Sequence, residues 1–299
     1  MIDYLHDWFW TYIWKPLPDI PFGDWMESFV RWARDAWAPL FEGTNTFLES
    51  LHTGLSDALL WLPSGLMVII FAAIAYFAKG WRLAALVGVG MFVAAWTPYW
   101  EETMESLAMV LIATVIATVL AIPLGILAAE NRTASAIARP ILDFMQTLPQ
   151  FVYLLPVVML WGIGVTPGII ATIIFCMPPG VRLTELGIRQ VDQEVVEAGQ
   201  AFGASPAKIL AGIKLPLALP TIAAGLNQVI MLALSMVVIA GMVGGGGLGG
   251  VIVSALGRVE IAKGFNAGLA VVVLAVFLDR VMQGLADRTP VARAARVRA

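Results

Sequence analysis

Few residues in this 299-residue chain are equipped for bond chemistry. Its two histidines, His6 and His52, both precede the first long apolar stretch. A serine–histidine pairing therefore has no support, and a zinc site has few donors. Cys176 is the lone cysteine, which excludes a disulfide framework and a Cys-based metal cluster. Gly244 to Gly247, with Gly249 and Gly250, has the composition of a phosphate loop, but no Lys-Ser or Lys-Thr follows it. A flexible or closely packed re-entrant turn is the better reading, one that contributes to an outer gate. The 18 Lys+Arg against 21 Asp+Glu leave a net charge of −3 and no basis for nucleic-acid binding. The chain is expected to be no enzyme and to hold no metal or cofactor of its own.

The informative spacing lies in a polar loop, Gln190 to Pro216, QVDQEVVEAGQAFGASPAKILAGIKLP. A helix is predicted to run to about Phe202, where Gly203 supplies the backbone turn that ends it. Ser205 suits an N-cap and Pro206 the first position of a second short helix. Leu215-Pro216 is expected to close that helix, because a residue before proline avoids the helical region. The corner is lined by Ala198, Gly199, Ala201, Gly203 and Ala204, small enough for another protein's surface to come close.

Polar side chains inside apolar stretches are the other candidates. Asn227, Gln228 and Ser235 either bond between helices or line a substrate route. Gln146, Thr147, Pro149 and Gln150 raise the same question, and Pro149 with Pro156 implies a bent helix. Phe151, Tyr153 and Trp161 have ring faces suited to a trimethylammonium group, although most aromatics in spans pack or face lipid. Glu130 and Asp143 are expected to be solvated at the membrane border.

The elements that carry these residues follow from composition. Sixty per cent of residues are apolar, 13% are charged and mean hydropathy is +0.84. A soluble fold could not hide that much apolar surface. Seven spans are predicted: Leu59 to Ala78, Leu83 to Trp100, Leu107 to Ala129, two helices within Phe144 to Val181, about Thr221 to Val243, and Phe265 to Leu285. Lys79, Arg82, Arg132, Arg139, Arg182, Arg189, Lys208, Lys214 and Arg288 fall on alternate loops, which places those loops in the cytoplasm. The N-terminus is then outside and the C-terminus inside. Residues 1–58 form an extracytoplasmic segment with six of the eleven tryptophans and no signal-peptide pattern. Asp24 and Glu27 resemble a capping box, and Trp25, Phe29, Trp32 and Ala36 recur on one face of an interfacial amphipathic helix. Residues 59–285 make the membrane domain, with the loop 190–216 inside it, and 286–299 a basic cytoplasmic tail.

Glu197-Ala198, then Gly203, then Ile213-x-Leu215-Pro216 resembles the EAA motif of ABC importer permeases, with Gly199 in place of the second alanine. Runs such as TLPQFVYLLP and NQVIMLALSMVVIA resemble the membrane subunit of glycine betaine/proline transporters over roughly residues 100–285. The resemblance implies an all-α polytopic protein with the type I ABC importer permease fold, in the bacterial inner membrane. Its partners would be ATPase subunits carrying ATP and magnesium, an extracytoplasmic binding protein, a second permease copy and lipid. It implies that Glu197, Ala198, Gly199, Gly203, Ala204, Ser205, Pro206, Ile213, Leu215 and Pro216 couple to the ATPase. An ion-coupled secondary transporter of small zwitterions is the alternative, though such a carrier usually needs ionisable groups mid-membrane.

Overall fold

The structure, a computed structural model, describes residues 2–10 and 21–288. The tail beyond Arg288 lies outside the described residues. Two helices, α1 (Ile2–Phe9) and α2 (Phe22–Ala36), precede α3 (Ala38–Leu60), α4 (Ser64–Lys79) and α5 (Trp81–Trp96). Then come α6 (Trp100–Glu130), α7 (Arg132–Thr147), α8 (Gln150–Trp161), α9 (Val165–Arg189), α10 (Gln193–Ala201) and α11 (Pro206–Ile209). The chain ends in α12 (Leu215–Ala240), α13 (Gly247–Arg258) and α14 (Ile261–Ala286).

Each apolar stretch predicted to span is helical, but the helices are less uniform than seven spans require. Four are long and apolar enough to cross a bilayer alone: α6, α9, the continuous run Pro206–Val243, and α14. Two more crossings arise if bent pairs count as one span each, α3 with α4 at 99° and α7 with α8 at 100°. That makes four to six by length and composition. The helix α5 has only 16 residues, and α8 only 12. Gly80 at φ 91 cuts α4 from α5. Pro149 and the positive-φ Gly162 bound α8.

The core is built on α9, wedged between α6 and α12. Small residues set the approach: a Cβ on Gly125 of α6 would lie 2.7 Å from the Val181 carbonyl of α9. Such contacts suit membrane helices, whose association rests on close packing rather than on exclusion of water. Polar contacts sort the helix ends into two levels. Lys79 with Asp287, and Lys214 with Glu130, mark one end, called the lower end here. Thr166 with the Asn45 carbonyl, Gly164 with the Val243 carbonyl, and Gly247 with Glu105 mark the upper end.

The N-terminal helix departs from its predicted start. It begins at Phe22, with Pro21 at the cap position and no side-chain cap. Asp24 therefore sits inside the first turn, and Glu27 pairs with Arg31 one turn on instead of completing a capping box. Val30 and Ala33 are buried, α2 packs on α8 and α3, and Trp25, Phe29 and Trp32 stay exposed.

Candidate functional site

The predicted corner exists, and its backbone explains why. Asp192 caps α10, its carboxylate accepting the Glu194 N–H at 3.0 Å. The helix ends in a double closure: Ala204 N–H donates to the Gly199 carbonyl at 3.1 Å and Gly203 N–H to that of Gln200 at 2.8 Å. This Schellman arrangement needs a left-handed residue, and Gly203 supplies it at φ 77. Ser205 stands at the next N-cap position but its side chain makes no cap bond; Pro206 takes the first turn of α11.

Glu197, Ala198, Gly203, Ser205 and Pro206 are exposed, while Gly199, Ala204, Ile213, Leu215 and Pro216 are half-buried. A Cβ at position 199 would lie 2.6 Å from Ile213 Cδ1, the tip of a side chain that can turn aside, so alanine would need only a local adjustment there. One residue of the corner escaped the sequence reading. Phe202, just before the turn, is 94% exposed, although an isolated phenyl ring gains nothing from water. The usable signal was an aromatic set directly before a glycine C-cap in a polar loop.

The loop does not end where predicted. Leu215 is helical at φ −61, ψ −48, and the chain runs unbroken through Leu215-Pro216 from Pro206 to Val243. Residues Leu210–Lys214 form a π-turn that widens the helix just ahead of Pro216. The wider turn accommodates the missing N–H and the bulk of the proline ring, so the ordinary pre-proline preference is overridden. The second arm of the corner is thus the first turns of the helix that runs on to Val243, not a separate short helix.

Charged straps join it to its neighbours. Lys214 Nζ meets Glu130 at 2.7 Å, tying α12 to the end of α6. Arg189 donates to the Ala128 carbonyl at 2.8 Å. Glu185, buried in α9, accepts from Ser135 Oγ at 2.7 Å and from Arg139 at 3.0 Å, and lies 3.2 Å from Arg189. Asp143 pairs with Arg182. Glu130 and Asp143 are exposed, in line with the expected solvation, and each is also paired. Glu185 was not singled out from the sequence, since its partners lie 46 and 50 residues away.

The path candidates do not form one cluster. Gln228 and Ser235 lie on an exposed face of α12 with Met231, seven residues apart and thus on one stripe. Asn227 turns the other way and donates to Asp279 of α14 at 3.1 Å, the interhelical role. Gln146, Thr147, Pro149 and Phe151 are exposed around the α7–α8 bend, and Thr147 bonds the Phe144 carbonyl at 2.9 Å. Tyr153 is buried, with its hydroxyl donating to the Met145 carbonyl. Phe151, Tyr153 and Trp161 therefore do not share a cage: one is exposed, one buried, and one stacks edge-on to Phe41. The glycine-rich segment is a tight turn between α12 and α13. A 3-10 turn, Gly241–Val243, leads into α13, whose first N–H groups donate to Glu105 at 2.9 Å and to Ser106 Oγ at 2.8 Å.

An all-helical, multi-pass bundle of this plan defines a membrane component of the type I ABC importer permease fold. The chain belongs to the family of binding-protein-dependent transport system inner membrane components, whose family model matches residues 121–290. It is 43% identical to the glycine betaine transport system permease protein OpuAB of Bacillus subtilis, over 90% of this chain and 95% of that protein. It is 42% identical to the glycine betaine/proline betaine transport system permease protein ProW of Escherichia coli, over 89% and 75%. It is 41% identical to the glycine betaine/carnitine transport permease protein GbuB of Listeria monocytogenes, over 89% and 96%. Among solved structures, the MetNI methionine ABC transporter in inward facing conformations shares the fold, with 25% identity and a TM-score of 0.52. That match covers 66% of this chain and 95% of the other. The chain is a permease-type membrane component, not an enzyme.

Proposed function

We propose that this chain is the translocating subunit of an ATP-driven importer for glycine betaine or related methylamine osmolytes. The observation that carries the coupling is the exposed corner at Phe202 and Gly203, closed by backbone hydrogen bonds and strapped to α6 through Lys214 and Glu130. An ATPase subunit docks there, through Glu197, Ala198, Gly199, Gly203, Ala204, Ser205 and Pro206, with Ile213, Leu215 and Pro216 holding the corner to α12. ATP and magnesium bind on that partner. The lower end faces the cytoplasm, in keeping with its basic residues, and the C-terminus lies on that side. An extracytoplasmic binding protein delivers substrate at the upper end, near α13. Two copies of the chain enclose the route, with Gln228 and Ser235 of α12 and the bend from Gln146 to Phe151 as lining. The exposed tryptophans of α2 rest in the outer lipid interface. The substrate class is supported by what the three relatives are named for.

The test is uptake of labelled glycine betaine into proteoliposomes holding the complex with its binding protein and ATP. Uptake that requires ATP and is competed by proline betaine or carnitine supports the reading. A complex that hydrolyses ATP but moves none of these compounds overturns the substrate class.

A further inference from the structure

A small cleft at the upper end lies between the N-terminal helices and the end of α8. It is lined by Arg34 of α2, by Phe41, Glu42 and Asn45 of α3, and by Trp161 and Gly162 where α8 stops. Its volume is about 160 Å³. Drug-sized sites are roughly 300–1,000 Å³, so this cleft suits a solute of few heavy atoms.

Three features of its lining bear on what could fill it. Arg34 and Glu42 share the cleft, yet among the described residues they pair neither with each other nor with another group. The Trp161 indole N–H is buried and has no acceptor, which is costly for a donor cut off from water. Phe41 and Trp161 meet edge to face at 4.8 Å between centroids, a mutually fixed pair of ring surfaces. The C-terminal end of α8 adds the partial negative charge of its last carbonyls.

A simple cation would satisfy Glu42 and the rings but leave Arg34 unmet. A simple anion would do the reverse. We propose that the cleft binds a small zwitterion, with its carboxylate toward Arg34 and Asn45 and its alkylated ammonium toward Glu42 and the aromatic rings. A weakly hydrated quaternary ammonium is the cation that aromatic faces hold best. The inference rests on the osmolyte reading above and deepens it. The permease itself, on the side where substrate is delivered, contacts the solute apart from the binding protein.

The probe is radiolabelled glycine betaine, bound at equilibrium to the full-length chain in lipid nanodiscs without binding protein. Glu42→Gln, Arg34→Gln and Trp161→Leu should each weaken binding about tenfold. Choline, which has the cation but no carboxylate, should respond to Glu42→Gln and be indifferent to Arg34→Gln. Glu42 and Arg34 are exposed, so their variants test binding rather than folding. Saturable binding that is unchanged in all three variants, or no binding to the wild-type chain, overturns the cleft. Variants that lose only capture of the binding protein, with betaine binding intact, make it a protein-docking surface and also overturn the proposal. ATP-driven betaine uptake by the wild-type complex separates the two readings. Uptake without binding to the permease sinks the cleft alone, whereas its absence sinks the osmolyte reading.

Discussion

At the scale of single residues, the coupling corner depends on a backbone that only a few side chains tolerate. Gly203 sits at φ 77 with open space around its Cα, so a side chain there meets strain before it meets a neighbour. The left-handed penalty is roughly 1–2 kcal/mol for most residues and smaller for asparagine. Gly203→Asn should therefore retain most substrate-stimulated ATP hydrolysis in the reconstituted complex, whereas Gly203→Leu should abolish it while the chain still inserts. Normal hydrolysis with leucine at this position would remove the corner from the coupling route. Phe202 invites the converse experiment. Its ring is 94% exposed, so Phe202→Ala should leave thermal stability unchanged and lower coupled ATP hydrolysis about tenfold, the equivalent of about 1.4 kcal/mol. Gly203 was legible because glycine at a helix end has a fixed physical meaning. Phe202 was passed over because an aromatic in an apolar chain looks like ordinary packing until its exposure is known. Glu185 needed the fold itself, which brings Ser135 and Arg139 to it from α7.

At the scale of elements, sequence pattern located the apolar helices, the split within Phe144 to Val181 and the bend at Pro149, but not the helix lengths or the joint at Pro63. Hydropathy reports what lipid or core accepts, and says little about where a helix bends. The α3–α4 and α7–α8 pairs turn at Pro63 and Pro149, and α8 is too short to cross alone. Leu215-Pro216 misled in the opposite direction, since a π-turn five residues long carries the helix through it. The glycine-rich turn at the upper end could be flexible or closely packed from its composition, and the structure has it closely packed. There the backbones of Gly241 and Gly249 nearly touch: a Cβ on Gly241 would lie 2.1 Å from the Gly249 carbonyl carbon. Gly250, one residue on, has nothing within 4 Å. Gly241→Ala should therefore destabilise the chain by about 1–3 kcal/mol, the usual range for overpacking. Gly250→Ala should be neutral or stabilising by up to about 1 kcal/mol, since alanine favours the helix. Thermal denaturation of the purified variants in detergent checks the pair, and equal effects would refute this account of the turn.

At the scale of the whole molecule, the arrangement of charge decides between ways of driving transport. The long apolar helices hold few ionisable groups, and those with partners sit mostly at the lower end: Arg182, Glu185, Arg189 and Lys214. Asp279 lies farther into α14, but it accepts from Asn227 and from Gln283 at 2.8 Å, so its oxygens are engaged within the chain. A carrier driven by an ion gradient needs a site that binds and releases the ion near the midplane. This chain instead concentrates its charged straps beneath the corner where a partner ATPase would pull. The exposed stripe of Gln228, Met231 and Ser235 gives that pull something to move only if another wall faces it, and in the proposed assembly a second copy would be that wall. Native mass measurement of the active complex should accordingly find two permease chains with two ATPases. Betaine uptake by that complex should persist when ionophores collapse every ion gradient, provided ATP remains. Uptake abolished by an ionophore at constant ATP, or an active complex with a single permease chain, would show that the driving force enters elsewhere than through α10 to α12.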